Sequence, residues 1–248
     1  MLMYRFLLAL TLMLFLPLSA RAESLVADLS EHMVAITTGF TGTELLLFGA
    51  VDGDGDIVVV THGPTEEVVV RKKDRVAGIW MNTQAVTFEH VPSFYQIAET
   101  EGAVNAMALS MKRRHKVGVR HLRMDYQETP LEDYQIRPFR EALIRNKQRM
   151  ELYSEEPGLI ERRGKNLFRT EVFFPTNIPT GTYIIETLLV KDGEVVSAQT
   201  TPLFINKLGL GARIFRFANV YPASYGIAAI LIAVLAGLFA NWIFRKLS

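Results

Sequence analysis

The stretch that decides the fold is Pro179-Thr180-Gly181-Thr182-Tyr183-Ile184-Ile185-Glu186-Thr187-Leu188-Leu189-Val190-Lys191-Asp192-Gly193-Glu194-Val195-Val196. Asp-Gly between two runs of β-branched and aliphatic residues signals a type I′ turn, whose two positive φ angles match the twist of paired strands. Residues 183–190 and 195–205 are therefore expected to pair as a hairpin. Ahead of them the Pro179-Thr180-Gly181-Thr182 turn delivers Tyr183 into the first strand. In immunoglobulin-like sandwiches a tyrosine so placed ties its corner to nearby backbone through the hydroxyl. Leu167–Phe174 supplies a third strand. Three strands cannot bury both faces alone, so further strands must come from elsewhere in the chain.

They are found upstream. Val34-Ala35-Ile36-Thr37, Glu44-Leu45-Leu46-Leu47-Phe48, Asp56-Ile57-Val58-Val59-Val60 and Glu67-Val68-Val69-Val70 are short, apolar and mostly separated by Gly, Asp or Pro. That spacing suits an antiparallel sandwich, with residues 77–81 and 85–88 as weaker strand candidates. Between the two β regions the period changes to a helical one. Residues 103–115 can form a helix with Gly118 past its end, and Ile136, Phe139, Leu143 and Met150 mark one face of a second. Pro138 suits the first turn of that helix, and Arg137, Glu141 and Arg145 lie at successive i,i+4 positions. The expected fold is mainly β: an immunoglobulin-like antiparallel sandwich over residues 23–206 with a helical insertion at about 92–160. Two separate β modules are the alternative.

The chain has 248 residues, of which 49% are hydrophobic and 21% charged, and this excludes a wholly disordered protein. A net charge of +1 removes the simplest case for a nucleic-acid binder. The distribution is less even: residues 23–111 hold 4 basic and 13 acidic side chains, residues 112–169 hold 15 and 9. The absence of cysteine excludes disulfides, thiolate metal sites and cysteine nucleophiles.

The two ends suggest an address. Arg5, an apolar run over residues 6–16, Pro17 and the small residues Ser19-Ala20-Arg21-Ala22 read as a signal peptide, residues 1–22, cleaved after Ala22. Residues 217–244 carry no charged side chain, and residues 223–244 are long enough to span a bilayer as one helix. Tyr221, Tyr225 and Trp242 stand as interfacial anchors. Arg213 and Arg216 on one side balance Arg245 and Lys246 on the other, so basic residues alone do not orient the helix. Export by the signal peptide does. In a bacterium it leaves residues 23–206 in the periplasm, a juxtamembrane segment at 207–222, and a cytoplasmic tail at 245–248 of a single-pass inner-membrane protein.

Candidate chemistry is sparse. Asp52-Gly53-Asp54-Gly55-Asp56 opens like a calcium loop, but Ile57 and Gly63 stand where Gly and Glu are needed, so a hairpin tip is the better reading. His32, His62, His90, His115 and His121 lack metal-motif spacing, and neither a metal nor a cofactor is expected. Lys112-Arg113-Arg114-His115-Lys116, with Arg120 and Arg123, reads as a solvated helix end that could meet anions, headgroups or an acidic partner. No serine-hydrolase elbow, P-loop, zincin or dinucleotide motif occurs, and no catalytic residue is assigned. In the terminal helix Ala229, Ala233, Gly237 and Asn241 recur every four residues and mark a packing face for another helix.

Several stretches share their order with a known family. They are Leu45-Leu46-Leu47-Phe48-Gly49-Ala50, Gly78-Ile79-Trp80-Met81-Asn82, Leu143-Ile144-Arg145-Asn146-Lys147-Gln148-Arg149, Leu167-Phe168-Arg169-Thr170-Glu171-Val172-Phe173-Phe174-Pro175, the 179–183 turn and the terminal helix. The ensemble resembles the alphaproteobacterial putative transmembrane protein family (Alph_Pro_TM). What the resemblance implies is an inner-membrane protein with an exported domain and no established activity, from a family whose members are often encoded beside sulfite-exporter-like permeases. The expectation is a non-enzymatic accessory of a membrane partner, an anion (sulfite-exporter-like) permease or a second copy of itself, with no nucleic acid. A membrane-tethered ligand or metal binder is the alternative.

Overall fold

In the computed structural model of the protein, which describes residues 24–208, 214 and 217–247, thirteen strands fall into three sheets. The expected signal peptide lies outside these residues. One sheet holds, in spatial order, β1 (Leu25–Leu29), β3 (Thr43–Val51), β11 (Leu167–Phe174) and β10 (Glu161–Arg163). A second holds β2 (Met33–Ile36), β13 (Glu194–Lys207), β12 (Gly181–Lys191), β4 (Asp56–His62), β7 (Tyr95–Glu99) and β9 (Gly158–Leu159). The third holds β5 (Thr65–Val76), β6 (Ile79–Pro92) and β8 (Asp125–Tyr126). β3 pairs antiparallel with β11, and β4 with β12, so the early and late β regions share both larger sheets.

Period-2 alternation stacks these two sheets. Leu45, Leu47, Val51, Phe168, Val172 and Phe174 are buried on one, and Ile57, Val59, Ile185, Leu189, Leu203 and Ile205 on the other. Burial of side chains of this size contributes about 1.5–3 kcal/mol each. Edge strand β1 is tied across the sandwich by one amide. Gln199 Nε2 donates to the Ala27 carbonyl and Gln199 Oε1 accepts from the Ala27 N–H, both at 2.8 Å. The side chain thereby supplies the donor and acceptor that a neighbouring strand would.

The corner at the start of β12 closes as its sequence implied. Tyr183 is fully buried, and its hydroxyl donates to the Pro179 carbonyl at 2.6 Å. Its ring meets Phe174 edge-on at 5.8 Å and Phe94 at 5.9 Å. Burial pushes the phenol above its ordinary pKa, which keeps the proton on the donor. Tyr183→Phe keeps the packing and removes that donor, so it should cost about 1 kcal/mol. Denaturant unfolding of the full chain in mild detergent measures this, and an unchanged midpoint would make the corner bond dispensable. At the other end of β12, Asp192 (φ 51°) and Gly193 (φ 81°) form the type I′ turn into β13.

β4 is buried on both faces, because a helical block covers the side of its sheet that faces away from β3. This block contains α1 (Ala103–Ala106), α2 (Leu109–Arg114) and a 3-10 turn at Val119–His121. The single helix expected at 103–115 is broken: Met107 is extended and buried, and the Ala108 N–H donates to the Gly193 carbonyl at 2.9 Å. A tertiary bond to the 192–193 turn has replaced an intrahelical one.

α3 (Asp133–Arg149) begins at a reciprocal capping box between Glu132 and Gln135. That start lies earlier than the apolar pattern implied and puts Pro138 inside the helix rather than in its first turn. Ile136, Phe139, Leu143 and Lys147 form the buried face. Met150, expected on that face, is 52% exposed, because the four-residue step from Leu143 lands on Lys147. The i,i+4 ion pair within reach is Arg137–Glu141 at 3.1 Å.

Residues 67–70, read as a sandwich strand, belong instead to the third sheet. Pro64 ends the run of β4, and the chain departs as a long hairpin of β5 and β6 turned at Ala77 and Gly78, both at positive φ. Val70, Val86 and Phe88 bury the base of that hairpin, and Lys147 of α3 reaches its Glu66. The chain ends in α4 (Pro222–Leu247), whose apolar portion Pro222–Ala240 is long enough to cross a membrane and has no part buried against the described chain.

Candidate functional site

Two features stand out: the seam where α3 meets the hairpin base, and α4, whose apolar span is not buried against the other described residues. At the seam the chain sets a cation into the core. Lys147 is 7% exposed, and its Nζ donates to the Glu66 carboxylate and to the Ser93 carbonyl at 3.5 Å. The adjacent Tyr153 hydroxyl donates to the Pro92 carbonyl at 2.7 Å, and its ring meets Tyr95 edge-on at 5.9 Å. Burial, then the Glu66 carboxylate and Tyr95, raise the pKa of the Tyr153 phenol. These bonds hold the hairpin, α3 and β7 in one arrangement, so Lys147 acts as a positioning group. Reading the sequence for this residue missed it, although a Lys at the next step of an apolar helical face was the available signal.

Beside the seam runs an open groove of about 430 Å³ lined by Gln96, Gln148, Arg149, Glu151, Tyr153 and Glu155, among others. Its polar groups can take a side chain or a small polar ligand. Glu151 and Glu155 are both exposed at its rim.

The residues singled out in the sequence are scattered. Residues 52–55 do not tip a hairpin; they carry the chain from β3 in one sheet to β4 in the other. Asp56 there accepts from Thr100 Oγ1 at 3.1 Å, and the Gly55 carbonyl accepts from Arg162 at 2.6 Å. His32 pairs with Asp28 at 2.9 Å, His90 with Asp125 at 3.3 Å and His115 with Glu186 at 2.7 Å. His62 packs its ring on Tyr95 at 5.3 Å, and burial, then Lys116, lowers its pKa to about 4. His121 is also lowered, by burial and then by Arg113, Lys112 and Arg120. Among the described residues no three His, Asp or Glu side chains gather as a metal would require.

The basic run is partly structural. His115 reaches Glu186 of β12, while the Tyr95 hydroxyl donates to the Lys116 carbonyl and accepts from the Gly118 N–H, both at 2.7 Å. Lys112, Arg113 and Arg114 occupy the last turn of α2, where cations favour the helix dipole.

On α4, Ala229, Ala233 and Gly237 are exposed, and a Cβ added at Gly237 would meet nothing within 4 Å. Asn241 lies one turn further along the same helix. The helix therefore presents its small residues to whatever surrounds it. A family model described as a putative transmembrane protein (Alph_Pro_TM) matches residues 24–246. No curated protein and no solved structure matches the chain.

Proposed function

This chain belongs to the Alph_Pro_TM family of putative transmembrane proteins, and from that premise we propose a non-enzymatic accessory of an integral membrane partner. In this reading α4 anchors the protein in a bacterial inner membrane, the β domain is periplasmic, and the partner is an anion permease of the sulfite-exporter type. The observation that carries the proposal is α4 itself: an apolar helix whose span is not buried against the other described residues, with a stripe of small residues at Ala229, Ala233 and Gly237, continued by Asn241. Helices associate in lipid by close packing, which small side chains permit. Gly237→Leu should lower partner recovery from mild detergent by about fivefold or more, while Leu238→Ala, on another face, should not. Recovery of the protein alone, or equal behaviour of the two variants, would sink the accessory role.

A second reading, a membrane-tethered ligand-binding module, is favoured by the groove beside Tyr153, where Gln96 Oε1 is buried without a partner among the described residues. Thermal shifts with small polar ligands and with copper, zinc and calcium separate the two.

A further inference from the structure

The acidic block that opens the β domain hides a local reversal of charge. All four basic residues of segment 23–111 are Arg71, Lys72, Lys73 and Arg75. The fold places them together on the outer half of β5, just before the hairpin turn. Asp74, the one acid among residues 71–85, pairs with Lys72 at 3.2 Å and accepts from the Thr83 hydroxyl, which leaves this outer half with a net charge of +3. Beyond the cations come the apolar residues. Val76, Ile79, Trp80 and Met81 are 47, 67, 68 and 52% exposed. No residue in 71–85 is buried, so the ribbon stands clear of the body for about 20 Å.

The hairpin also leaves the sandwich at a telling end. β4 finishes at His62 opposite Ile184, and β13, running parallel to β4, finishes at Lys207 just beyond the Gly181↔Ile205 pair. Pro64 and Gly181 are in close contact there: a Cβ on Gly181 would come within 2.8 Å of the Pro64 ring. The hairpin and the chain that leads on to α4 therefore depart from the same end of the domain.

We propose that the tip of the β5–β6 hairpin docks on the lipid surface of the membrane that α4 crosses. Ile79, Trp80 and Met81 enter the interface, where tryptophan favours the headgroup level. Arg71, Lys73 and Arg75 hold anionic headgroups, each cation adding about fivefold to the docking equilibrium, while Lys72 stays paired with Asp74. An apolar tip this exposed would otherwise be an aggregation hazard on a free ribbon. Two points thus hold the β domain: the helix and the hairpin. The proposal uses the membrane span alone and is independent of the accessory role.

The test uses the full chain with Trp242→Phe, which leaves Trp80 as the sole tryptophan of two. It is reconstituted in vesicles of phosphatidylcholine with about 30% phosphatidylglycerol, and in phosphatidylcholine alone. In the anionic vesicles Trp80 emission should shift to the blue, be quenched by brominated acyl chains and resist acrylamide. Removing three charges with Arg71→Gln, Lys73→Gln and Arg75→Gln should reverse this, lowering the docked ratio by about a hundredfold. Because the chain has no cysteine, Met81→Cys carrying a single environment-sensitive label gives an independent depth reading. Emission that stays water-exposed in anionic vesicles overturns the proposal. So does shielding that ignores brominated lipid and rises with protein-to-lipid ratio, since that identifies a second copy as the occupant.

Discussion

Gly49→Ala should lower the thermal midpoint of the full chain in mild detergent by roughly 6–12 °C, the equivalent of about 3 kcal/mol for a protein of this size. Gly49 lies on the inward face of β3, between Leu47 and Val51, directly opposite Phe168 of β11. A Cβ there would stand 2.3 Å from the Val26 carbonyl and 2.5 Å from the Phe168 ring. The first neighbour is backbone of the paired strand β1, and the second is a ring only 2% exposed. Neither can give way without shifting a strand or opening the core. Overpacking a dense interior costs about 1–3 kcal/mol even when one side chain can move. Here both obstacles are fixed, so the upper end applies. A midpoint within a degree or two of the parent would mean that β1 is only loosely held, against the Gln199 clamp on Ala27.

Acidification should remove a comparable amount of stability through one imidazole. His62 has its pKa lowered from 6.5 to about 4 by burial and then by Lys116. The unfolded chain therefore binds more protons than the folded one between those two values, and folding opposes protonation throughout that window. The stabilisation is fully present above pH 6.5 and is lost as pH falls toward 4, reaching about 3 kcal/mol. His62→Phe keeps a ring against Tyr95 but cannot titrate, so its midpoint should fall much less over the same range. Parallel pH profiles for parent and variant would place the acid sensitivity elsewhere.

The local features were open to reading in the chain. Asp192-Gly193 has the chemistry of a type I′ turn wherever it occurs between two apolar runs. Tyr183 bonds Pro179, only four residues away, so the corner too is a short-range event. α4 and its stripe of small residues follow from composition and a four-residue repeat. The charge of the hairpin tip was present but averaged away, because Arg71, Lys72, Lys73 and Arg75 sit inside a block whose sum is acidic.

Long-range geometry was a different matter. Asp52–Asp56 has the composition of a hairpin tip, yet the chain there changes sheets. Which neighbours β3 and β4 take depends on where β11 and β12 can bury their apolar faces, more than a hundred residues later. The Lys147–Glu66 seam and the Gln199–Ala27 clamp join groups 81 and 172 residues apart. The helix breaks at Met107 so that the next residue, Ala108, can bond Gly193, a partner 85 residues later in the chain. Periodicity and turn chemistry are properties of a few consecutive residues, so the sequence by itself determined most of the strands, the hairpin turn, the tyrosine corner and the long apolar terminal helix. Strand neighbours, the broken helix, the buried lysine and the projecting ribbon were decided only by tertiary structure, because each follows from satisfying buried polar groups and apolar faces between segments that sequence spacing does not relate.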